Sequence, residues 1–146
     1  MTTIRQATVA DLPALAPLFD GYRRFYGQPP DLPRAEAFLR ERIERGESVV
    51  LLAERDGRAA GFTQLYPLFS SVRTARLWLL NDLYVDAHAR HDGVARALLD
   101  AAARFARADG ACGLMLETTP DNHAAQALYR AAGWHEEGNR WFALTL

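Results

Sequence analysis

Cysteine is nearly missing from this chain: Cys112 stands alone among 146 residues. One thiol cannot close an internal disulfide, so a reducing, cytoplasmic setting is the expectation. Cys112 lies in "ADGACGLMLET", with no helix start beside it to lower its pKa, and reads as a small buried hydrophobe. Charge of one sign is missing too. The net charge is −1, and no basic run or tail gives a nucleic acid its electrostatic footprint. No apolar run is long enough to span a membrane. The opening "MTTIRQATVADL" has neither the basic nor the apolar region of a secretory leader. Repeats, low-complexity linkers and breaks in composition are absent as well, so one domain over residues 1–146 is expected. Hydrophobic residues make up 49% and charged ones 24%, the balance of a globular protein with a real core.

What is present is an alternation of short apolar runs with amphipathic segments. "TIRQA" predicts a first strand. "TVADLPALAPLFDGYRRFYG" follows with Leu12, Leu15, Leu18, Phe19 and Tyr22 at helical spacing. "RAEAFLRERIERG" predicts a second helix stopped at Gly46. "SVVLLAE" and "AAGFTQLYPLFS", the latter ending near Pro67, flank Asp56-Gly57, a strong hairpin signal. "ARLWLLNDLYV" completes an antiparallel meander. A helix from about Gly93 to Ala108, a strand "GLMLET" parallel to the one before it, and a helix in "DNHAAQALYRAAG" come next. "WHEE", a "GN" turn and "RWFALTL" predict a final hairpin. The expected order is β-α-α-β-β-β-α-β-α-β-β, an α+β mixed sheet with helices on its faces.

Within "HARHDGVARALLD", Gly93 ends a loop after a strand and opens a helix. Unbonded backbone N–H groups and the positive end of the helix dipole meet there, which suits an anion. Two phosphate loops are excluded: the dinucleotide fingerprint needs three glycines, and no Gly-Lys-Ser/Thr run exists. His88 and His91 have no Cys or carboxylate cluster at ligand spacing, so no metal is expected.

Arg90-x-x-Gly93-x-Ala95 resembles the pyrophosphate loop of GNAT-type N-acetyltransferases, (Gln/Arg)-x-x-Gly-x-(Gly/Ala). "IRQATVADL" is similar to that family's opening strand and helix start, "NDLYV" to its fourth strand, and "DNHAAQALYRAAGW" to its fourth-helix motif. The resemblance covers nearly the full chain and is nearest to small-amine and polyamine acetyltransferases. It implies a GNAT-like central sheet with splayed fourth and fifth strands, and acetyl-CoA as donor. Backbone from His91 through Asp92, Gly93, Val94 and Ala95 to Arg96, with Arg90 beside it, would hold the pyrophosphate. Leu83, Tyr84 and Val85 would run beside the pantetheine arm, with Leu83 and Val85 pairing through their main chain. Asn122, Ala125 and Tyr129 would border it from the fourth helix. Asp92 and His91 depart from the family pattern, since an acid inside the loop must turn away from phosphates.

The resemblance makes Tyr129 a general acid toward the departing sulfur; read from the residue alone, a core aromatic is the commoner fate of a tyrosine at such spacing. Asn122 reads as a helix N-cap or as a donor contact. Asp82, a carboxylate inside an apolar strand, must be paired, at an edge or in a cleft. It reads as the group that takes a proton from the incoming ammonium, or as a structural partner of Arg73 or Arg76. Asn81 stands where related enzymes carry a glutamate and could orient the amine. The acceptor side would hold Tyr22, Phe25, Tyr26, Tyr66 and Trp78, with Asp20, Asp31 and Phe69 nearby. That mixture suits a small cationic amine, a polyamine or an amino acid. A protein N-terminal or lysine acetyltransferase, and a non-catalytic acyl-CoA-binding module, are the other readings. The apolar "RWFALTL" would suit a homodimer.

Overall fold

The computed structural model describes residues 1–146. Its elements are β1 (Thr2–Gln6), α1 (Leu12–Phe25), α2 (Leu32–Glu44), β2 (Val49–Arg55), β3 (Arg58–Ser70), β4 (Ala75–Val85), α3 (Val94–Ala108), β5 (Gly113–Met115) and α4 (His123–Ala131). The five strands lie side by side in chain order. The first four are antiparallel, and β5 runs parallel to β4.

Local chemistry explains the boundaries. Asp56 and Gly57 take φ of +52° and +76°, the left-handed pair that a tight hairpin between β2 and β3 requires. Asp31 caps α2 by accepting from the Arg34 amide at 3.2 Å, where Asn, Asp, Ser and Thr are favoured. β3 runs past Pro67, which sequence reading had placed at its end. β2 pairs only as far as Leu65, so the proline's missing N–H faces no strand on that side.

Both sheet faces are covered. Val50, Leu52 and Phe62 meet Leu12, Leu15, Phe19 and Leu39 of α1 and α2 on one face. Leu51, Ala53, Leu65, Trp78 and Leu80 meet Leu98, Leu99 and Ala102 of α3 on the other. β2 therefore reads as an unbroken apolar run rather than an alternating one.

Two features of the far edge matter. β4 and β5 pair only from Leu77–Gly113 to Leu79–Met115; beyond Leu79 they part, as the expected splay requires. The expected final hairpin is not formed. Neither Gly138 nor Asn139 takes the positive φ of a tight reversal, and residues 135–146 join no strand. Trp141, Phe142, Leu144 and Leu146 are exposed.

Candidate active site

Beyond Val85, a single 3-10 turn at Ala87–Ala89 leads into the loop before α3. His91 and Gly93 take φ of +67° and +81°, and such left-handed residues curl a backbone so that its amides converge. The glycine requirement at Gly93 is conformational: a Cβ there would meet no atom within 4 Å. Gly93 offers no side-chain cap, and the Ala97 amide bonds the Gly93 carbonyl at 3.0 Å. In an α-helix the amides ahead of that bond, here those of Val94, Ala95 and Arg96, lack an intrahelical acceptor. Beside them opens a cleft of about 410 Å³ lined by Val85, Ala89, Arg90, His91, Gly93, Val94, Ala95, Arg96 and Leu128.

The charges around this cleft are already sorted. Asp92 pairs with Arg55 of β2 at 2.6 Å, which neutralises the acid that departed from the loop pattern. The Arg90 guanidinium donates to the Val85 carbonyl at 3.0 Å and lies 5.8 Å from the Tyr84 ring centre. Arg96 pairs with Asp100 on the helix surface, and His88 with Asp86. Open amides, a helix mouth and two arginines fit a pyrophosphate.

Asp82 owes its place to a bulge. Gln64 faces Asp82, yet the next residue, Leu65, faces Leu80, so Asn81 is an extra residue in β4. Before the bulge, Trp78 and Leu80 point toward α3. After it, Leu83 and Val85 take that side and Tyr84 packs toward α1. Strand alternation then puts Asp82 on the α1 side with Tyr84, where it is 2% exposed.

Its partners are amides. Gln64 Nε2 donates to Oδ2 at 2.6 Å and Asn81 Nδ2 to Oδ1 at 2.8 Å. The Tyr22 hydroxyl donates to the Asn81 carbonyl at 3.1 Å. The arginines expected to hold Asp82 are engaged elsewhere: Arg76 with Asp109 at 3.8 Å, and Arg73 with the Cys112 carbonyl at 3.3 Å. Burial pushes the Asp82 carboxyl above the usual carboxylate range, against the hydrogen bonds of Asn81 and Gln64. Burial, and after it the Asp82 charge, push the Tyr22 and Tyr66 phenols up. Sequence reading missed Gln64. Its Oε1 is buried without a partner, and the one signal was an amide in the otherwise apolar "GFTQLYP".

On α4, Asn122 Oδ1 accepts from the Ala125 amide at 3.3 Å, so Asn122 caps the helix and occupies that amide. Tyr129 is half-buried beside Trp134, with ring centres 6.4 Å apart. Burial, then nearby Tyr26, hold its phenol above the usual value. Tyr26 lies 5.0 Å from Tyr22 and 5.2 Å from Phe25, ring centre to ring centre. A line of aromatics thus leads from Asp82 through Tyr22 to Tyr26 and Phe25. Trp78 is not part of it. It is buried against α3, donates from Nε1 to Asp109 at 2.9 Å and meets Phe105 edge-on. Asp20 and Asp31 serve the α1–α2 connection, where Asp20 accepts from Arg23 and from the Asp31 amide. Phe69 lies outside, under Arg76. No three His, Cys, Asp or Glu side chains are grouped to hold a metal ion.

This geometry has relatives. Residues 14–134 match the model of the acetyltransferase (GNAT) family. YhfO of Bacillus subtilis (strain 168), described as an uncharacterized N-acetyltransferase, is 51% identical over 92% of this chain and 90% of its own. An aminoglycoside N(6′)-acetyltransferase type 1 of Klebsiella aerogenes is 32% identical over 68% of this chain and 66% of its own. The crystal structure of a probable acetyltransferase, 41% identical, covers 99% of this chain and 97% of its own at a TM-score of 0.94. With its splayed sheet and open helix mouth, the chain belongs to the GNAT acetyltransferase family and is an acyltransferase of that type.

Proposed function

We propose that the chain transfers the acetyl group of acetyl-CoA directly to the primary amine of a small cationic acceptor: a polyamine, an aminoglycoside-like amine or a basic amino acid. One observation carries the reading: Asp82, buried, lacking a cationic partner and ringed by amides and tyrosines where β4 leaves β5. A carboxylate so placed is costly without a cation near it, and a protonated alkylamine, with a pKa of about 10, supplies one from across a bridging water.

The amides of His91 to Arg96 hold the pyrophosphate of the donor, and Arg90 can swing from the Val85 carbonyl toward it. The main chain of Leu83 and Val85 takes the pantetheine arm along the unpaired part of β4, next to Tyr84. Asp82 is too buried to touch the acceptor freely, so it takes the ammonium proton through a bridging water. The freed nitrogen attacks the thioester carbonyl carbon. As the N–C bond forms and the C–S bond breaks, the Tyr129 phenol protonates the sulfur, and the second proton of the attacking nitrogen passes through solvent to the Tyr129 oxygen, which restores the phenol. Burial keeps that phenol protonated until it is needed. Tyr22, Phe25, Tyr26, Tyr66 and Asn81 frame the acceptor. The Klebsiella relative, named for an aminoglycoside acceptor, supports a polycationic amine. The lone Cys112 suits work in a reducing compartment.

A thiol-release assay over polyamines, basic amino acids, aminoglycosides, acidic and neutral amines, and peptides tests this. Turnover on the cationic small amines is expected. Turnover confined to acidic or neutral acceptors sinks the acceptor class, and turnover on peptides alone makes this a protein acetyltransferase. Acetyl-CoA binding without turnover on any of them leaves a binding module. Tyr129→Phe is expected to lower kcat by about 10²-fold with donor affinity nearly unchanged; an unaltered rate removes Tyr129 as the acid.

A further inference from the structure

Two glycines close around one tyrosine. Gly21 lies buried in the middle of α1, where alanine is the better helix former, so its presence there needs a reason. A Cβ on Gly21 would fall 2.7 Å from the Tyr84 hydroxyl oxygen and 3.0 Å from Tyr84 Cζ, closer than such atoms can pack. The tip of the Tyr84 ring therefore rests on the bare backbone of α1. At the other end of the residue, Gly61 of β3 faces Val85. A Cβ there would fall 2.6 Å from the Tyr84 carbonyl oxygen and 3.2 Å from the Val85 Cα. Neither glycine takes a positive φ, so both serve by leaving space.

Tyr84 thus spans the distance from the sheet to the helix. Its base is fixed, because the β3 backbone is already pressed against its carbonyl. Its ring has the Phe62 ring centre at 6.4 Å and the Arg90 guanidinium at 5.8 Å as further neighbours, and a phenol cannot shorten along its own axis. α1 meets β4 at a second point, where the Tyr22 hydroxyl donates to the Asn81 carbonyl at 3.1 Å. Asp82 lies between Asn81 and Tyr84 in the strand and shares the α1 side with Tyr84. The helix that rests on Tyr84 carries Tyr22 next to Gly21 and Phe25 one turn on.

We propose that Tyr84 is a strut whose length sets the gap between α1 and the strand that carries Asp82, and that Gly21 is the positioning residue that seats it. The gap matters for the reaction because Tyr22, Phe25 and Tyr26 frame the acceptor, the reading on which this inference rests. The strut holds those side chains at a fixed height above Asp82, while the main chain of Leu83 and Val85 stays with the donor. A longer or shorter strut therefore misplaces the acceptor and spares acetyl-CoA. No acceptor class is implied, so the strut is tested on whichever acceptor the chain turns over.

Helix propensity alone would make Gly21→Ala more stable than the parent. The strut makes the opposite outcome the expected one: a lower Tm, and an acceptor KM raised about tenfold with kcat kept within about threefold. The acetyl-CoA Kd, read by titration, is expected to stay within about twofold of the parent's. Tyr84→Phe withdraws the atom nearest the new methyl, so the same Gly21→Ala change made in that background is expected to cost clearly less in both Tm and KM. A higher Tm for Gly21→Ala overturns the strut, as does an unmoved acceptor KM, an acetyl-CoA affinity that falls in step with the acceptor's, or a cost undiminished by Tyr84→Phe. If Gly21→Ala yields no folded protein, Tyr84→Leu shortens the strut instead and is expected to raise the acceptor KM more than it weakens acetyl-CoA; equal effects overturn the strut. A parent that turns over no acceptor removes the acceptor reading, and the Tm comparison across the four proteins then decides the strut by itself.

Discussion

Asp82 resides where a negative charge is poorly solvated, and that has consequences for stability as well as for chemistry. Its pKa is raised from 3.8 in the fold, so the folded state binds the proton more tightly than the unfolded state. The stabilisation this gives is complete below the unfolded value and is lost as pH rises through the folded one. Asp82→Asn keeps the shape and removes the charge. It is expected to raise Tm by a few degrees at about pH 8, with the gain shrinking toward pH 4, while turnover falls about 10²-fold. Thermal unfolding over that pH range checks it, and a variant less stable than the parent at high pH contradicts it. Gln64 holds the carboxylate down by donating to it at 2.6 Å. Gln64→Leu is therefore expected to move the rising limb of kcat/KM to higher pH; lower activity with an unmoved limb reduces Gln64 to packing. Asp82 was legible in the sequence because a carboxylate interrupts "LWLLNDLYV". Gln64 was not, because a lone amide in a strand reads as a solvent-facing residue, and only the pairing of β3 with β4 sets it opposite Asp82.

Among the elements, α3 depends most on one residue ahead of it. Gly93 sits at φ +81°, a region that costs other residues about 1–2 kcal/mol. Gly93→Ala is expected to cost about that much stability and to weaken acetyl-CoA modestly. Gly93→Asp adds a charge against the open amides and is expected to weaken the donor more than tenfold, read as the loss of the thermal shift that acetyl-CoA produces. An equal shift in parent and Gly93→Asp rejects the loop assignment. The strand–loop–helix order around Gly93 was legible because apolar periodicity, a glycine and an alanine-rich run agree. The Trp78 assignment failed at the same scale. Simple alternation puts Trp78, Leu80 and Asp82 on one face, and the bulge at Asn81 sends Asp82 to the other. The final hairpin failed because Gly-Asn permits a tight turn without compelling it.

For the molecule as a whole, the sheet order and its two covered faces followed from the alternation of apolar runs and amphipathic helices. The course of the last twelve residues did not, since an apolar strand pattern does not say which sheet edge will accept it. Composition adds a test of a different kind. Every one of the 17 basic residues is arginine, so the chain carries no lysine amine, and its α-amino group is held by Asp56 at 3.2 Å. Prolonged exposure to excess acetyl-CoA is expected to add at most one hydroxylamine-stable acetyl group by intact mass; two or more would contradict this. The bulge, finally, makes length a constraint. β4 changes phase at Asn81, so removing that single residue would exchange the faces of Asp82, Leu83, Tyr84 and Val85 together. Substitution at position 81 alters one amide, whereas deletion would invert the proton acceptor and the donor-facing strand end at a stroke. Loops and tail can vary in this architecture, but the spacing from Trp78 to Tyr84 cannot.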